Sequence, residues 1–551
     1  MFTIGVDFGT ESGRAVLVDT RDGREVATAV HPYGDGVIDQ HLPGSDKPLP
    51  PDWALQNPND YIEVFKQTIP AILKQGGVKP EDVVGIAIDF TACTMMPTTN
   101  DGTPLCNVEQ WHNHPHSWVK LWKHHAAQPE ADQINETARQ RGETWLPRYG
   151  GKISSEWFFS KSLQILNEAP EVYRAADRLL EASDWVIWQL CGQEVRSVCT
   201  AGYKAMVQDE GYPSPDYFAA LHPEFRDVVD SKMTRTFGQL GAKAGGLTAQ
   251  AAAWTGLKEG TAVAVANVDA HVTYPAVKAT KAGTMVMIMG TSTCHMLVGD
   301  KLQTVEGMCG VVRDGIIPGY YGYEAGQSGV GDIFAWFVNN AVPPEYHDAA
   351  KRAGMDLHQY LEQEAAKQKV GEHGLIALDW WNGNRSTLVD VDLTGLLVGG
   401  TLATRAPDIY RALIEATAFG TRVIIEAFEQ RGVPVTELIA AGGLPDKNAL
   451  LRQIYADVTG RTFKLAGSSQ APALGAAMHA AVAAGIYPNI EAAAEKMGKV
   501  KDEVVQPIAA NTAVYDQMYA DYKTLYDYFG RGTNDVMKRL KNLRRAARGE
   551  E

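Results

Sequence analysis

Four short segments carry residue types that do chemistry when grouped. The first, Asp7-Phe8-Gly9-Thr10, follows the apolar run Thr3-Ile4-Gly5-Val6. A carboxylate at the end of a buried strand is costly unless a cation meets it, typically Mg²⁺ or its bound water. A glycine lets backbone N–H groups approach a phosphate closely, and a threonine hydroxyl adds a donor. The second, Gly290-Thr291-Ser292-Thr293, repeats the glycine–threonine pair after the apolar run Met285-Val286-Met287-Ile288-Met289. Two such loops facing each other can clamp a triphosphate; a polar hairpin tip is the plainer reading of either alone. The third, Gly442-Gly443-Leu444-Pro445-Asp446-Lys447-Asn448, lies between a strand pattern and a helix pattern. Its glycines let a flat ring lie against the backbone, and the helix start offers free N–H groups, although a tight turn explains it equally well. The fourth, Asn267-Val268-Asp269-Ala270-His271, closes the strand pattern at 262–266. An acid there would face an interdomain cleft as a general base; taken singly, a helix N-cap is its commoner role.

Several chemistries are absent. There is no Gly-x-x-x-x-Gly-Lys-Ser/Thr loop, no Gly-x-Gly-x-x-Gly after a strand and no His-Glu-x-x-His. Five of the 14 histidines (His112, His114, His116, His124, His125) crowd one segment, but their spacing matches no common metal pattern. A wet loop beside a helix start accounts for them. The six cysteines include no Cys-x-x-Cys pair, so no zinc or redox motif is visible. Trp185, Trp188, Trp380 and Trp381 read as core or cleft-wall residues.

Positioning these segments needs strands that end together. Residues 3–7 and 14–19 read as a hairpin around the first loop, and 83–89 as a buried strand. A helix over 60–73 is introduced by Asn57-Pro58-Asn59 and stopped by Gly76-Gly77. Near residue 283 the hairpin pattern returns; superposing Gly290-Thr291 on Gly9-Thr10 also sets Asp300 on Asp19. Two related halves would explain the echo, and so would chance similarity between two hairpins. The second half continues with helices over 407–429, 448–458 and 471–484, the last rich in alanine, and a strand over 437–441. A charged, helical C-terminal extension follows residue 486. The expected division is 1–280, 281–485 and 486–551.

At 551 residues the chain is long enough for two large domains. With 45% hydrophobic and 21% charged residues it is an ordinary globular composition, not a disordered one. The net charge, 51 − 66 = −15, disfavours nucleic acid as a partner. No window approaches 18 uninterrupted apolar residues and the N-terminus lacks a basic start, so neither a membrane span nor a signal peptide is expected, and the cytoplasm is the expected location.

The pieces together resemble the FGGY family of carbohydrate kinases, specifically its L-ribulose-phosphorylating branch, over nearly the whole chain. The resemblance rests on Gly5-Val6-Asp7-Phe8-Gly9-Thr10-Glu11-Ser12-Gly13-Arg14, Asp89-Phe90-Thr91-Ala92-Cys93-Thr94 and Leu121-Trp122-Lys123-His124-His125-Ala126. It continues through Gly150-Gly151-Lys152-Ile153-Ser154-Ser155-Glu156-Trp157, Thr200-Ala201-Gly202-Tyr203-Lys204, Tyr323-Glu324-Ala325-Gly326-Gln327-Ser328 and Gly442-Gly443-Leu444-Pro445. The stretch from Lys161-Ser162-Leu163-Gln164 to Asn167 is similar to the family's first signature, with Gln164 in place of its usual tryptophan. His124 and Ala126 fill the acid and arginine slots of its Trp-x-Asp-x-Arg. Both departures speak against xylulose or glycerol as substrate.

The resemblance implies an α/β fold of two actin-like (ribonuclease H-like) ATPase domains, with ATP and sugar in the cleft between them. It implies transfer of phosphate from Mg²⁺-ATP to L-ribulose in L-arabinose breakdown. By position, Asp269 would be the catalytic base, and Ala92, Lys204, Asp269 and Glu324 would hold the sugar. Asp7, Gly9, Thr10, Gly290 and Thr291 would serve the phosphates, Asp7 and Asp269 the Mg²⁺, and Gly442, Gly443 and Asn448 the adenosine. Because a loose transition state gives up the proton late, Asp269 need not have a strongly raised pKa. A D-ribulose or other ketopentose kinase and a non-catalytic actin-like ATP-binding protein are the alternatives. A homodimer is compatible with the resemblance, and the sequence itself carries no signal for oligomeric state.

Overall fold

In the computed structural model, which describes residues 1–548, two mixed sheets carry the chain. The first begins with the hairpin β1 (Phe2–Phe8) and β2 (Ser12–Asp19), in which Asp7 pairs with Arg14, and continues into β3 (Glu25–Pro32). Helix α1 (Pro58–Gly76) starts where the sequence says it should: the Asn57 side chain accepts from the N–H of Asn59, and Pro58 takes the first turn. It buries Tyr61, Val64, Phe65 and Ile69 against the sheet. Strand β4 (Val83–Phe90) runs parallel to β1, with Asp89 beside Asp7. Helices α2 (Phe158–Glu168) and α3 (Val198–Lys204) follow. Then β5 (Lys243–Gly246), β6 (Ala262–Ala264) and β7 (Asn267–Val268) complete the order β5-β6-β4-β1-β2-β3, with β7 beside β4. Helix α4 (Asp269–Ala276) leaves directly from β7.

The second sheet contains β8 (Gly283–Met289), β9 (Thr293–Gly299), β10 (Gly310–Arg313), β11 (Tyr321–Gln327), β12 (Val435–Ala441), β13 (Thr462–Ala466) and β14 (Val500–Val505), in the order β10-β11-β9-β8-β12-β13-β14. Read from β14, its first six strands repeat the six-strand path of the first sheet with the same parallel and antiparallel pairings, β10 being an addition at the far edge. Even the bulge recurs: β1–β4 shifts register between Phe2 and Thr3, and β8–β12 between Gly283 and Thr284. The two halves are therefore related in topology. The residue match fails in one place. Phe8 pairs with Gly13, whereas Met289 pairs with Thr293, so the second hairpin turns one residue tighter and Gly299, not Asp300, corresponds to Asp19.

Helices α5 (Ala406–Gln430) and α6 (Ala449–Thr459) pack in the second half, and α7 (Ala471–Ala483) returns to the first. Its small residues explain how. A β-carbon on Gly5 of β1 would lie 1.8 Å from the carbonyl oxygen of Ala473, so strand and helix touch backbone to backbone. Ala473 and Ala477 also join a core shared by Val16 and Val18 of the first half and Val286, Met296 and Ile439 of the second. After residue 486 the chain is more than a solvated helical extension. It supplies edge strand β14 and helix α8 (Ala509–Gly530), whose Tyr515, Tyr519, Tyr522 and Tyr526 share one buried stripe, before α9 (Val536–Arg548). All six cysteines are free. Among the described residues no helix is long and apolar enough to cross a membrane.

Gly5→Ala is expected to destabilise the protein by about 3 kcal/mol or more, because backbone cannot retreat as a side chain can. Gly9→Ala, where the new carbon would sit 3.4 Å from its nearest neighbour, should stay within about 0.5 kcal/mol of wild type. Urea unfolding of both variants checks the contrast.

Candidate active site

Three carboxylates meet where β1, β4 and β7 end. Asp7 and Asp89 are register partners, Asn267 is the partner of Asp89 on its other side, and Asp269 begins α4 two residues later. Asp269 is not the helix cap: Val268 holds that position, and Asp269 Oδ1 accepts from the N–H of Ala270 at 2.7 Å. Burial, and then the charge of Asp7, pushes its pKa up to about 7, higher than a late proton acceptor requires. Burial also raises Asp7, against the neighbouring Asp89 carboxyl and the Arg14 guanidinium, which lower it. Asp89 is raised furthest in direction, by burial and by the charges of Asp7 and Asp269; it is fully buried, and neither of its oxygens has a partner.

The Gly9–Thr10 loop is held from three sides. Tyr33 donates to the Gly9 carbonyl (2.9 Å), Gln56 Nε2 to the Thr10 carbonyl (2.7 Å) and Trp122 Nε1 to the Thr10 hydroxyl (3.0 Å). The opposite loop is freer: Gly290 and Thr291 are exposed and line a cavity of about 400 Å³ with Gly331, Gly443, Lys447 and Asn448. Gly442 sits behind that wall, at φ 111° and with its α-carbon against the Met289 carbonyl, where a β-carbon would come within 2.2 Å. Gly443 instead has open space above it. The Asn448 side chain caps α6, accepting from the Leu451 N–H at 2.8 Å. The second and third segments thus share one cavity, and Asp7, Gly9 and Thr10 do not line it.

Lys204 and Glu324 are both buried, and they meet: Lys204 Nζ lies 3.2 Å from Glu324 Oε2. Two further groups converge on the same carboxylate, Arg385 at 2.8 Å and His271 at 3.3 Å. Burial opposes the charge on Glu324, but these neighbours, Lys204 foremost, hold it well below the usual carboxylate range. Burial likewise opposes the charge on Lys204, and Glu324 together with Cys93 and Cys309 outweighs it, raising the pKa. Both groups are therefore charged at neutral pH. Ala92 lies in the turn after β4, followed by Cys93 at φ 69°.

Asp89, His271 and Arg385 were not singled out as site residues by sequence. Asp89 obeys the rule that marked Asp7, an acid ending an apolar strand, and could have been found. Arg385 lies in an irregular loop and carries no such signal. Of the clustered histidines, His116 and His124 are not in a wet loop but buried, because their ring nitrogens find Glu168 (3.1 Å) and Gln164 (2.9 Å). Two of the departures from the family pattern, His124 and Gln164, therefore touch each other.

Residues 2–274 match the N-terminal domain of the FGGY family of carbohydrate kinases, and residues 285–484 match its C-terminal domain. The chain belongs to that family and is a carbohydrate kinase. It is 58% identical to a ribulokinase of Geobacillus thermodenitrificans, covering 99% of this chain and 98% of that one. It is 56% identical to a ribulokinase of Mycolicibacterium smegmatis, covering 100% and 98%. Its fold is similar to those of a xylulose kinase from Rhodospirillum rubrum (TM-score 0.79, 22% identity, 96% and 98% covered) and Plasmodium falciparum glycerol kinase (TM-score 0.73, 15%, 95% and 97%). The expected two-domain α/β kinase fold is thus found.

The raised Asp269 pKa has a stability consequence. An acid whose folded pKa exceeds its unfolded value of about 3.9 costs stability as pH climbs between the two, and the full cost is present above the folded value. Asp269→Asn should therefore raise the melting temperature of the ligand-free protein at pH 8, and by less at pH 5.5, where the native acid is mostly protonated. Equal shifts at the two pH values in a thermal melt would contradict this.

Proposed function

We propose that this carbohydrate kinase transfers the γ-phosphoryl group of ATP to the 5-hydroxyl of L-ribulose, giving L-ribulose 5-phosphate for L-arabinose breakdown. The observation that carries the reading is the pairing of two unlike polar clusters. An acid cluster at the strand ends, Asp7, Asp89 and Asp269, lies close enough to the Lys204–Glu324–Arg385–His271 cluster that Glu324 and Lys204 act on the Asp269 pKa. Relatives named ribulokinase, at 56–58% identity over the full chain, support the choice of sugar.

In this reading Asp269 accepts the proton of the attacking hydroxyl, and a pKa of about 7 suits an acceptor working near neutrality. Lys204 donates to the sugar, Glu324 fixes the Lys204 ammonium and accepts from a hydroxyl, and Ala92 offers backbone from its turn. Gly9, Thr10, Gly290 and Thr291 bind phosphate oxygens, and the cavity wall of Gly443 and Asn448, backed by Gly442, takes the adenosine. Mg²⁺ takes one or two carboxylates and completes its shell with phosphates and water. The partnerless buried oxygens of Asp89 beside Asp7 are consistent with a cation arriving there. Asp7 and Asp269 would hold Mg²⁺, whose chemistry is to neutralise charge on the transferring group. Closing the cleft excludes water, which would otherwise compete as acceptor.

An ADP-release assay over L-ribulose, D-ribulose, xylulose and glycerol tests the proposal; turnover with L-ribulose no better than with glycerol would end it. Asp269→Asn should lose at least about 10²-fold in kcat. Lys204→Ala removes a charged donor while leaving Glu324 paired with Arg385 and His271. It should raise the KM for L-ribulose roughly 10- to 150-fold with the KM for ATP little changed. An unchanged sugar KM in the purified variant would remove Lys204 from the site.

A further inference from the structure

The lysine of the signature segment, Lys161, has no part in the chemistry above, yet it is fully buried on α2 and its ammonium touches no carboxylate among the described residues. Its Nζ donates to two backbone carbonyls, Cys93 O at 2.7 Å and Leu121 O at 2.7 Å, with Lys120 O at the edge of range, 3.5 Å. Each acceptor belongs to a segment already implicated. Cys93 closes the turn that carries Ala92 and is itself held at φ 69°, a left-handed conformation that a residue with a β-carbon enters only under constraint. Leu121 immediately precedes Trp122, whose indole holds the Thr10 hydroxyl.

Resting on the reading of the site as a ketopentose kinase, we propose that Lys161 is a positioning residue that clips the Ala92–Cys93 turn to the Leu121–Trp122 segment and so sets how the sugar is held relative to the phosphate loop. A buried carbonyl without a donor is costly, so a turn in a strained conformation persists only where its surroundings hold it. Lysine suits the task because an extended stem delivers several N–H donors to one point. Burial pulls its pKa down to about 8, and the neutral amine still has the two N–H groups that the two short contacts need. The support is asymmetric. Cys93 O receives no other side-chain donor in the turn, where the nearest bond is Thr91 Oγ1 to Thr94 Oγ1 at 3.1 Å. The Gly9–Thr10 loop, by contrast, keeps Tyr33 and Gln56 whatever happens to Leu121. Loss of the clip should therefore displace the sugar more than the nucleotide.

Lys161→Met preserves length and packing while removing every donor. Measured with whichever ketopentose the wild-type enzyme phosphorylates, the variant should show a sugar KM raised by about tenfold or more, in the range that sub-ångström to ångström misplacement produces. The ATP KM should change by less than about threefold. A purely structural lysine would instead lower the amount of active enzyme and leave both KM values alone. Lys161→Gln, which keeps one donor group, should fold at least as well and show the same shift at smaller size. Unchanged sugar KM in either soluble variant, equal rises in both KM values, or failure of both variants to fold would each overturn the proposal. If wild type fails to phosphorylate any ketopentose, it is the assigned function that falls, a result the variants do not enter.

Discussion

The acid cluster of this protein depends on keeping like charges together at the ends of neighbouring strands. Asp7 and Asp89 are register partners on adjacent parallel strands, so their α-carbons are a strand spacing apart, about 4.8 Å. Asp269 joins them through β7 and the start of α4. Burial raises all three; the charge of Asp7 adds to Asp269, and the charges of Asp7 and Asp269 add to Asp89. Such a group is unfavourable by itself, and the surrounding apolar packing has to hold it. That explains why β1 and β4 are buried along both faces, by α1 and its core on one side and by α7, laid backbone to backbone, on the other. It also gives the cluster its directionality: a cation nearby reverses the local logic and favours the ionised form.

The duplicated topology supplies the scaffold twice, but it supplies this constraint only once. At the positions equivalent to Asp7 and Asp89 the second sheet carries Ile288 and Ala441, register partners in the same way and part of the shared apolar core. The loops diverge as well. The first is gripped by Tyr33, Gln56 and Trp122, whereas the second turns one residue tighter and opens onto the cavity. One half therefore presents charge and the other presents a wall.

Much of this was legible in the sequence because it rests on local pattern. The hairpins, the buried run of β4, the Asn57–Pro58 helix start and the alanine-rich α7 all follow from periodicity and caps. Lys204 and Glu324, named from the resemblance, lie together in one buried ion pair. What sequence missed depends on burial created by distant segments. A lysine such as Lys161 or a histidine such as His124 is buried only because carbonyls and an amide from elsewhere complete its bonding. Strand β14, Val-Lys-Asp-Glu-Val-Val, reads as a polar segment because it is an exposed edge, recognisable only once β13 is there to pair with it. Arg385 depends on a loop with no periodicity at all.

The C-terminal segment is the clearest case of long-range construction, and it bears on the site. The hydroxyls of the α8 tyrosine stripe are each spent on a partner in the second half: Tyr515 on Glu415 (2.8 Å), Tyr519 on Glu426 (2.7 Å), Tyr522 on Asp379 (2.9 Å) and Tyr526 on Thr387 (3.0 Å). The last two partners bracket Arg385. Asp379 also accepts from Gln327, three residues beyond Glu324 on the same strand, at 2.7 Å. Arg385 and Glu324, bonded at 2.8 Å, are thus referenced to a single helix through two separate routes. Because a fixed ion pair loses less on binding than one that must be ordered, bracing of this kind pre-organises the cation–carboxylate cluster before any ligand arrives. The polar cluster that faces the acids therefore owes its geometry to residues beyond 500, as the acids owe theirs to β1.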